Sequence, residues 1–181
     1  MAAVAVPGGA GHAATDQRVP PSPQVGIFYY PWFATPHTDG HYSHWQQGGG
    51  TPPASLSSGF YPARGPYSSA DTLVVGAQMR EIAAAGVGTV ITSWWGSGSS
   101  EDLRLPQVIE AARANGLAVA AHLEPYVGRT VASTEADIRE LQALGISDFY
   151  VWASSSLPDA DRKSTRLNSS HSLTSRMPSS A

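Results

Sequence analysis

The sequence predicts an α/β protein, a truncated (β/α)8 TIM barrel holding about the first four βα units. Between residues 25 and 152, runs of strand length alternate regularly with stretches of helical periodicity. The strand-length runs are apolar almost throughout, as parallel strands are when helices cover the sheet. The segment after the first run spans about forty residues rich in Trp, Tyr, His and Gly, and long functional βα loops characterise barrel enzymes. The rival arrangement, a doubly wound nucleotide-binding sheet, loses support because no GxGxxG follows the first run and no GxxxxGK[ST] occurs anywhere.

The elements follow in order. VGIFYYPW at 25–32 is β-branched and aromatic and stops at Pro31, which cannot donate to a central ladder, so it is the first strand. Asp71 is placed to cap a helix whose Val75, Met79 and Ile82 recur on one face, with Gly86 as its stop. GVGTVITSWW at 86–95 is the second strand. Leu105, Val108, Ile109 and Ala112 then keep helical spacing up to Asn115 and Gly116, and LAVAAHLEP at 117–125 is the third strand. Ile138, Leu141 and Leu144 stripe a helix that starts at Ser133 or Thr134 and ends before Gly145, and DFYVWA at 148–153 is the fourth strand.

Charge divides the chain into a folded part and its flanks. All 14 acidic residues lie at or before Asp161, whereas residues 162–181 hold Arg162, Lys163, Arg166 and Arg176, no acid and seven serines without periodicity. A disordered tail is expected there. Its KSTRLNSSH and SRMPSSA strings resemble translated sequencing-adapter read-through, so the tail is expected to be foreign to the natural chain. Residues 1–24 are expected to be a leader or signal-peptide remnant, with Gly11, His12 and Ala13 resembling a small-residue cleavage end, followed by a stiff Pro20–Pro23 linker. A secreted or cell-surface location goes with that expectation. Eleven basic residues and a net charge of -3 argue against a nucleic-acid surface. The absence of cysteine excludes disulfides, thiolate metal sites and a cysteine nucleophile. No run of about 18 apolar residues is present to span a membrane.

In a barrel, the C-terminal ends of the strands surround the active-site mouth. Tyr30, Trp32, Trp94, Trp95, Glu124, Tyr126 and Trp152 stand at those ends. Aromatic faces stack on the CH face of a pyranose, and carboxylate, Tyr, His and Arg groups hydrogen-bond its hydroxyls, so the set points to a carbohydrate ligand. Taken singly, each aromatic is explained equally well as core. Glu124 is the best active-site candidate, because a carboxylate closing an apolar strand is costly unless it is paired or used. A structural pair with Arg129 is the alternative. His122 shares the strand face of Glu124 and, alone, reads as a satisfied core histidine. His37, His41 and His44 with Asp39 invite a metal reading, but their spacing in a Gly-rich loop matches no ligand motif, so no metal and no cofactor is expected. Sugar contact is the stronger reading for His44 and Trp45.

FYYPWF at 28–33, GHYSHW at 40–45, FYPARGPYSS at 60–69, MREIAAAGVGTVITSWW at 79–95 and HLEPYVGRT at 122–130 together resemble glycoside hydrolase family 99, the endo-α-mannosidase and endo-α-mannanase group. The resemblance implies a (β/α)8 barrel that cleaves internal α-mannosidic bonds of oligosaccharides or polysaccharides with retention, assisted by the substrate's own 2-hydroxyl. The expected substrate contacts are Tyr30, His44, Trp45, Trp94, Glu124, Tyr126 and Arg129. The resemblance also implies two catalytic carboxylates in a Glu-x-x-Glu segment on a later strand, and no two glutamates here stand three apart. Glu124 would match an additional glutamate that binds sugar near the cleavage point. Hydrolysis needs two placed carboxyl groups, so the chain is expected to be inactive by itself. A non-catalytic carbohydrate-binding or surface protein with the same fold is the alternative.

Overall fold

The computed structural model describes residues 20–154. The leader and the serine-rich tail, with the expectations made for them, lie almost wholly outside the described residues. Strand β1 (Ser22–Tyr29) leads through a long loop holding the short helix α1 (Pro36–Asp39) and a 3-10 turn at Gln47–Gly49. Then come α2 (Thr72–Ala84), β2 (Val87–Trp94), α3 (Ser100–Ala114), β3 (Ala118–Leu123), α4 (Val131–Ala143) and β4 (Phe149–Val151). The strands form one sheet in the order β1-β2-β3-β4 with every neighbouring pair parallel, half of the eight strands that close a barrel.

Local chemistry explains most boundaries. Asp71 caps α2 by accepting from the Leu73 and Val74 amides, and Gly86, at φ 81°, turns the chain into β2 in a conformation that a side chain would strain. Helix α3 begins five residues before its apolar stripe, at Ser100. Ser99 accepts from the Asp102 amide, and Glu101 and Asp102 complement the helix dipole in the first turn. Helix α4 starts earlier than either expected cap. Thr130 is the cap and Ser133 sits three residues on, each side chain bonding the other's backbone amide. Serine stands where the usual signature has Glu or Gln, so this cap carries no standard sequence signal. Strand β1 begins at Ser22, inside the expected linker, because the Ser22 amide donates to the Gly86 carbonyl at 2.9 Å. It ends at Tyr29, before Pro31.

Side chains alternate across the sheet, and the helices cover one side. Tyr29, Val90 and Leu117 pack there with Val75, Met79, Val108 and Ala112. Trp94, Ala121 and Leu123 pack with Leu105, Ile109, Leu141 and Ile146. The opposite side is concave. The Phe28 ring on β1 lies 5.1 Å from the His122 ring on β3 and 6.2 Å from Tyr150 on β4, so the sheet curls far enough for its first strand to touch its last. That curl brings the strand ends into one mouth.

Candidate functional site

Alternation sends Tyr30, Ser93, His122, Glu124, Tyr150 and Trp152 to the concave side. Ser93 at the end of β2 donates its hydroxyl to Glu124 Oε1 at 2.9 Å. His122 Nδ1 lies 3.1 Å from the same oxygen without the alignment of a hydrogen bond. His122 and Glu124 are both only 6% exposed, so this polar knot is buried among apolar strands. Trp152 stands edge-on to the His122 ring at 5.7 Å. Burial, and after it the negative charge of Glu124, push the Tyr30 hydroxyl above its usual range, which places the two groups within electrostatic reach.

A second set of aromatics runs from Tyr30 into the long loop. Tyr30 stacks on Trp32 at 4.6 Å, and Trp32 stacks on His44 at 4.3 Å with the rings 6° from parallel. His44 Nδ1 meets Gln47 Nε2 at 2.7 Å. Burial holds the His44 imidazole below its ordinary value, with the Glu101 charge opposing it. Trp45 is 3% exposed, stacks on Phe33 and donates its indole N–H to the Tyr67 carbonyl, so it is chiefly the core of the loop. Trp32, Phe33, His44, Trp45, Gln47 and Tyr67 line most of a cleft of about 310 Å³. The loop is tied down by Arg104, which donates to the Pro31 carbonyl at 2.8 Å and pairs with Asp39 at 3.0 Å. Asp39 is therefore engaged in an ion pair, and among the described residues no three His, Asp or Glu side chains are grouped to hold a metal ion.

The structure separates residues that the sequence grouped. Trp94 is fully buried on the helix side and donates its indole N–H to Asp102 at 2.9 Å, so it does not share the mouth with Tyr30 and Glu124. Trp95, the next residue, is the exposed member of the pair. Tyr126 packs edge-on to Trp94, and its hydroxyl turns toward α4, donating to Asp137 and meeting the Ser133 hydroxyl at 2.9 Å, rather than toward Glu124. Arg129 does not pair with the Glu124 carboxylate. Its guanidinium donates to the Leu123 and Glu124 carbonyls at 3.2 Å each and to the Trp152 carbonyl at 2.6 Å, which ties the ends of β3 and β4 together. Ser93 was overlooked. A serine at the end of a strand, immediately before the tryptophan pair, is the available signal.

A curled parallel sheet of four strands, with helices on one side and a carboxylate and aromatic rings at its C-terminal strand ends, is half of a (β/α)8 barrel. Residues 22–149 match glycosyl hydrolase family 99, and the chain belongs to that family. It is 37% identical over 138 residues to the glycoprotein endo-alpha-1,2-mannosidase-like protein of Danio rerio, covering 64% of this chain and 31% of that protein. It is 35% identical over 136 residues to the glycoprotein endo-alpha-1,2-mannosidase of Xenopus laevis, covering 63% and 30% respectively. A solved structure of the family 99 endo-alpha-mannosidase of Bacteroides thetaiotaomicron, in complex with bis-tris-propane, superposes with a TM-score of 0.69 at 25% identity. That match covers 78% of this chain and 45% of the other. The chain thus spans about a third of the length of the curated relatives it matches.

Proposed function

We propose that the chain supplies the first four βα units, and part of the glycan-binding mouth, of a retaining hydrolase acting on internal α-mannosidic bonds. The observation that carries this reading is Glu124. It is a buried carboxylate at the mouth of a family 99 sheet, with Tyr30 beside it and Trp95 and Trp152 exposed at neighbouring strand ends. An acceptor flanked by aromatic faces suits a pyranose, whose hydroxyls donate and whose CH face stacks. Hydrolysis with retention asks for two further carboxyl groups flanking the scissile bond, usually about 5 Å from each other. No glutamates three apart exist in this sequence to provide them, so binding without turnover is the activity of the chain alone.

The test uses α-1,2-mannobiose and α-1,3-mannobiose with the purified chain, followed by saturation-transfer NMR for binding and by release of mannose for turnover. Binding that is weakened about tenfold or more by Glu124→Gln, with no mannose released, is the expected result. Absence of saturation transfer at millimolar sugar overturns the reading, and turnover by this chain overturns the catalytic part of it. A reading frame that continues past codon 161 into a Glu-x-x-Glu segment favours the hydrolase over a non-catalytic sugar-binding protein.

A further inference from the structure

We infer that Ser93 and His122 are positioning residues that hold one oxygen of Glu124 and leave the other for the ligand, an inference that rests on the glycan-binding reading above. Two groups from different strands converge on the same atom. The Ser93 hydroxyl on β2 donates to Oε1, and His122 Nδ1 on β3 lies 3.1 Å from it. Among the described residues Oε2 makes no side-chain hydrogen bond. Glu124 stands on the concave side of the sheet, so Oε2 is the oxygen left to a ligand there.

His122 is the less expected of the two. Its Nδ1 is buried and has no aligned hydrogen-bond partner, an arrangement that folded proteins rarely leave without a use. Phe28 at 5.1 Å and Trp152 at 5.7 Å pack against its ring and limit its rotation. A carboxylate oxygen accepts hydrogen bonds, so the nitrogen beside it carries the ring hydrogen, and a small turn of the imidazole completes an Nδ1–H bond to Oε1. The two donors restrict the carboxylate to one rotamer. A bound sugar then meets an acceptor already in place instead of ordering a free side chain, which is how preorganisation raises affinity. Tyr30 and Tyr150 are the other titratable groups that β1 and β4 bring to this face; Tyr150 is in register with His122.

The experiment separates this inference from the glycan reading. Imidazole 15N–1H correlation spectra of the 181-residue chain at neutral pH, without sugar, should show His122 as the Nδ1–H tautomer. In Glu124→Met, which keeps the volume and removes the acceptor, His122 should shift to Nε2–H. A histidine that is Nε2–H in the wild type, or that ignores the substitution, overturns the positioning role. Both outcomes are legible whether or not mannosides bind.

Affinity for α-1,2-mannobiose supplies the second readout. The amide nitrogen of Asn, like Nδ1, is attached to Cγ, whereas that of Gln reaches the position of Nε2. His122→Asn should therefore stay within about threefold of wild type while His122→Gln loses about tenfold, and Ser93→Ala loses about threefold to tenfold. Equal behaviour of the Asn and Gln variants, both with native-like amide spectra, overturns the inference. If the wild type binds no mannobiose while the tautomer signature is present and moves with Glu124, the glycan reading fails and the positioning role stands.

Discussion

Replacing Asp39 with alanine tests how the long loop is fastened over the strand ends. Asp39 and Arg104 approach to 3.0 Å with each side chain 12% exposed, and Asp39 Oδ2 also accepts from the Thr35 amide at 2.9 Å. Removing one partner of a fully buried pair costs about 3–5 kcal/mol, and an exposed pair is worth about 0–1 kcal/mol. Arg104 keeps its bond to the Pro31 carbonyl, so Asp39→Ala is expected to destabilise by about 2–3 kcal/mol. With a urea dependence of about 1.5–2 kcal/mol per molar for a domain of this size, the midpoint falls by about 1–2 M. A double-mutant cycle with Arg104→Ala should show coupling of about 1–2 kcal/mol.

The pH dependence of this substitution has a definite sign. Burial pushes the Asp39 carboxyl up, but hydrogen bonds from Ser68 and the Thr35 amide and the charge of Arg104 outweigh it and leave the carboxyl below its ordinary 3.8. The folded protein therefore binds that proton less readily than the unfolded chain. The stabilisation is present in full above the unfolded value and is lost as pH falls through the lower folded value. The gap between wild type and Asp39→Ala should be constant from neutral pH down to about pH 5 and close at more acid pH. A midpoint shift under about 0.3 M in urea, additive effects in the cycle, or a gap that widens with acid would refute the argument.

Other perturbations probe the sheet and its helix side. Trp94→Phe removes the indole donor to Asp102 from a fully buried site and should cost about 1–3 kcal/mol in urea unfolding, without changing mannobiose affinity. Gly88→Ala places a Cβ 2.2 Å from the Ser22 carbonyl oxygen, so it should push β1 off β2 at that end and lower the thermal midpoint by several degrees, or by about 1–3 kcal/mol. Burial holds the Asp137 carboxyl above its ordinary 3.8 despite the Tyr126 hydroxyl and Arg129. Its contribution is thus fully present below that value and declines as pH rises through the folded value, and Asp137→Asn should flatten this decline in pH-dependent chemical denaturation.

The sequence by itself determined the order and type of the main elements, the parallel sheet and the family. Continuous apolar runs, helical stripes and caps such as Asp71 are local signals, and local signals survive without knowledge of what each element packs against. The carboxylate of Glu124 was legible for the same reason, since its position after an apolar strand marks it as costly. Which side chains meet in the mouth was decided only by tertiary structure. Trp94 and Trp95 are identical in type and adjacent in sequence, yet one fills the space under α3 and α4 while the other is exposed. Strand phase set by packing, not residue type, separates them. Arg129 was within reach of the Glu124 carboxylate by sequence distance, but the fold turned its guanidinium onto the carbonyls of β3 and the residues after β3 and β4. Ser93 reached Glu124 across 31 residues because parallel pairing lays the end of β2 beside the end of β3, a juxtaposition that exists only once the sheet has formed.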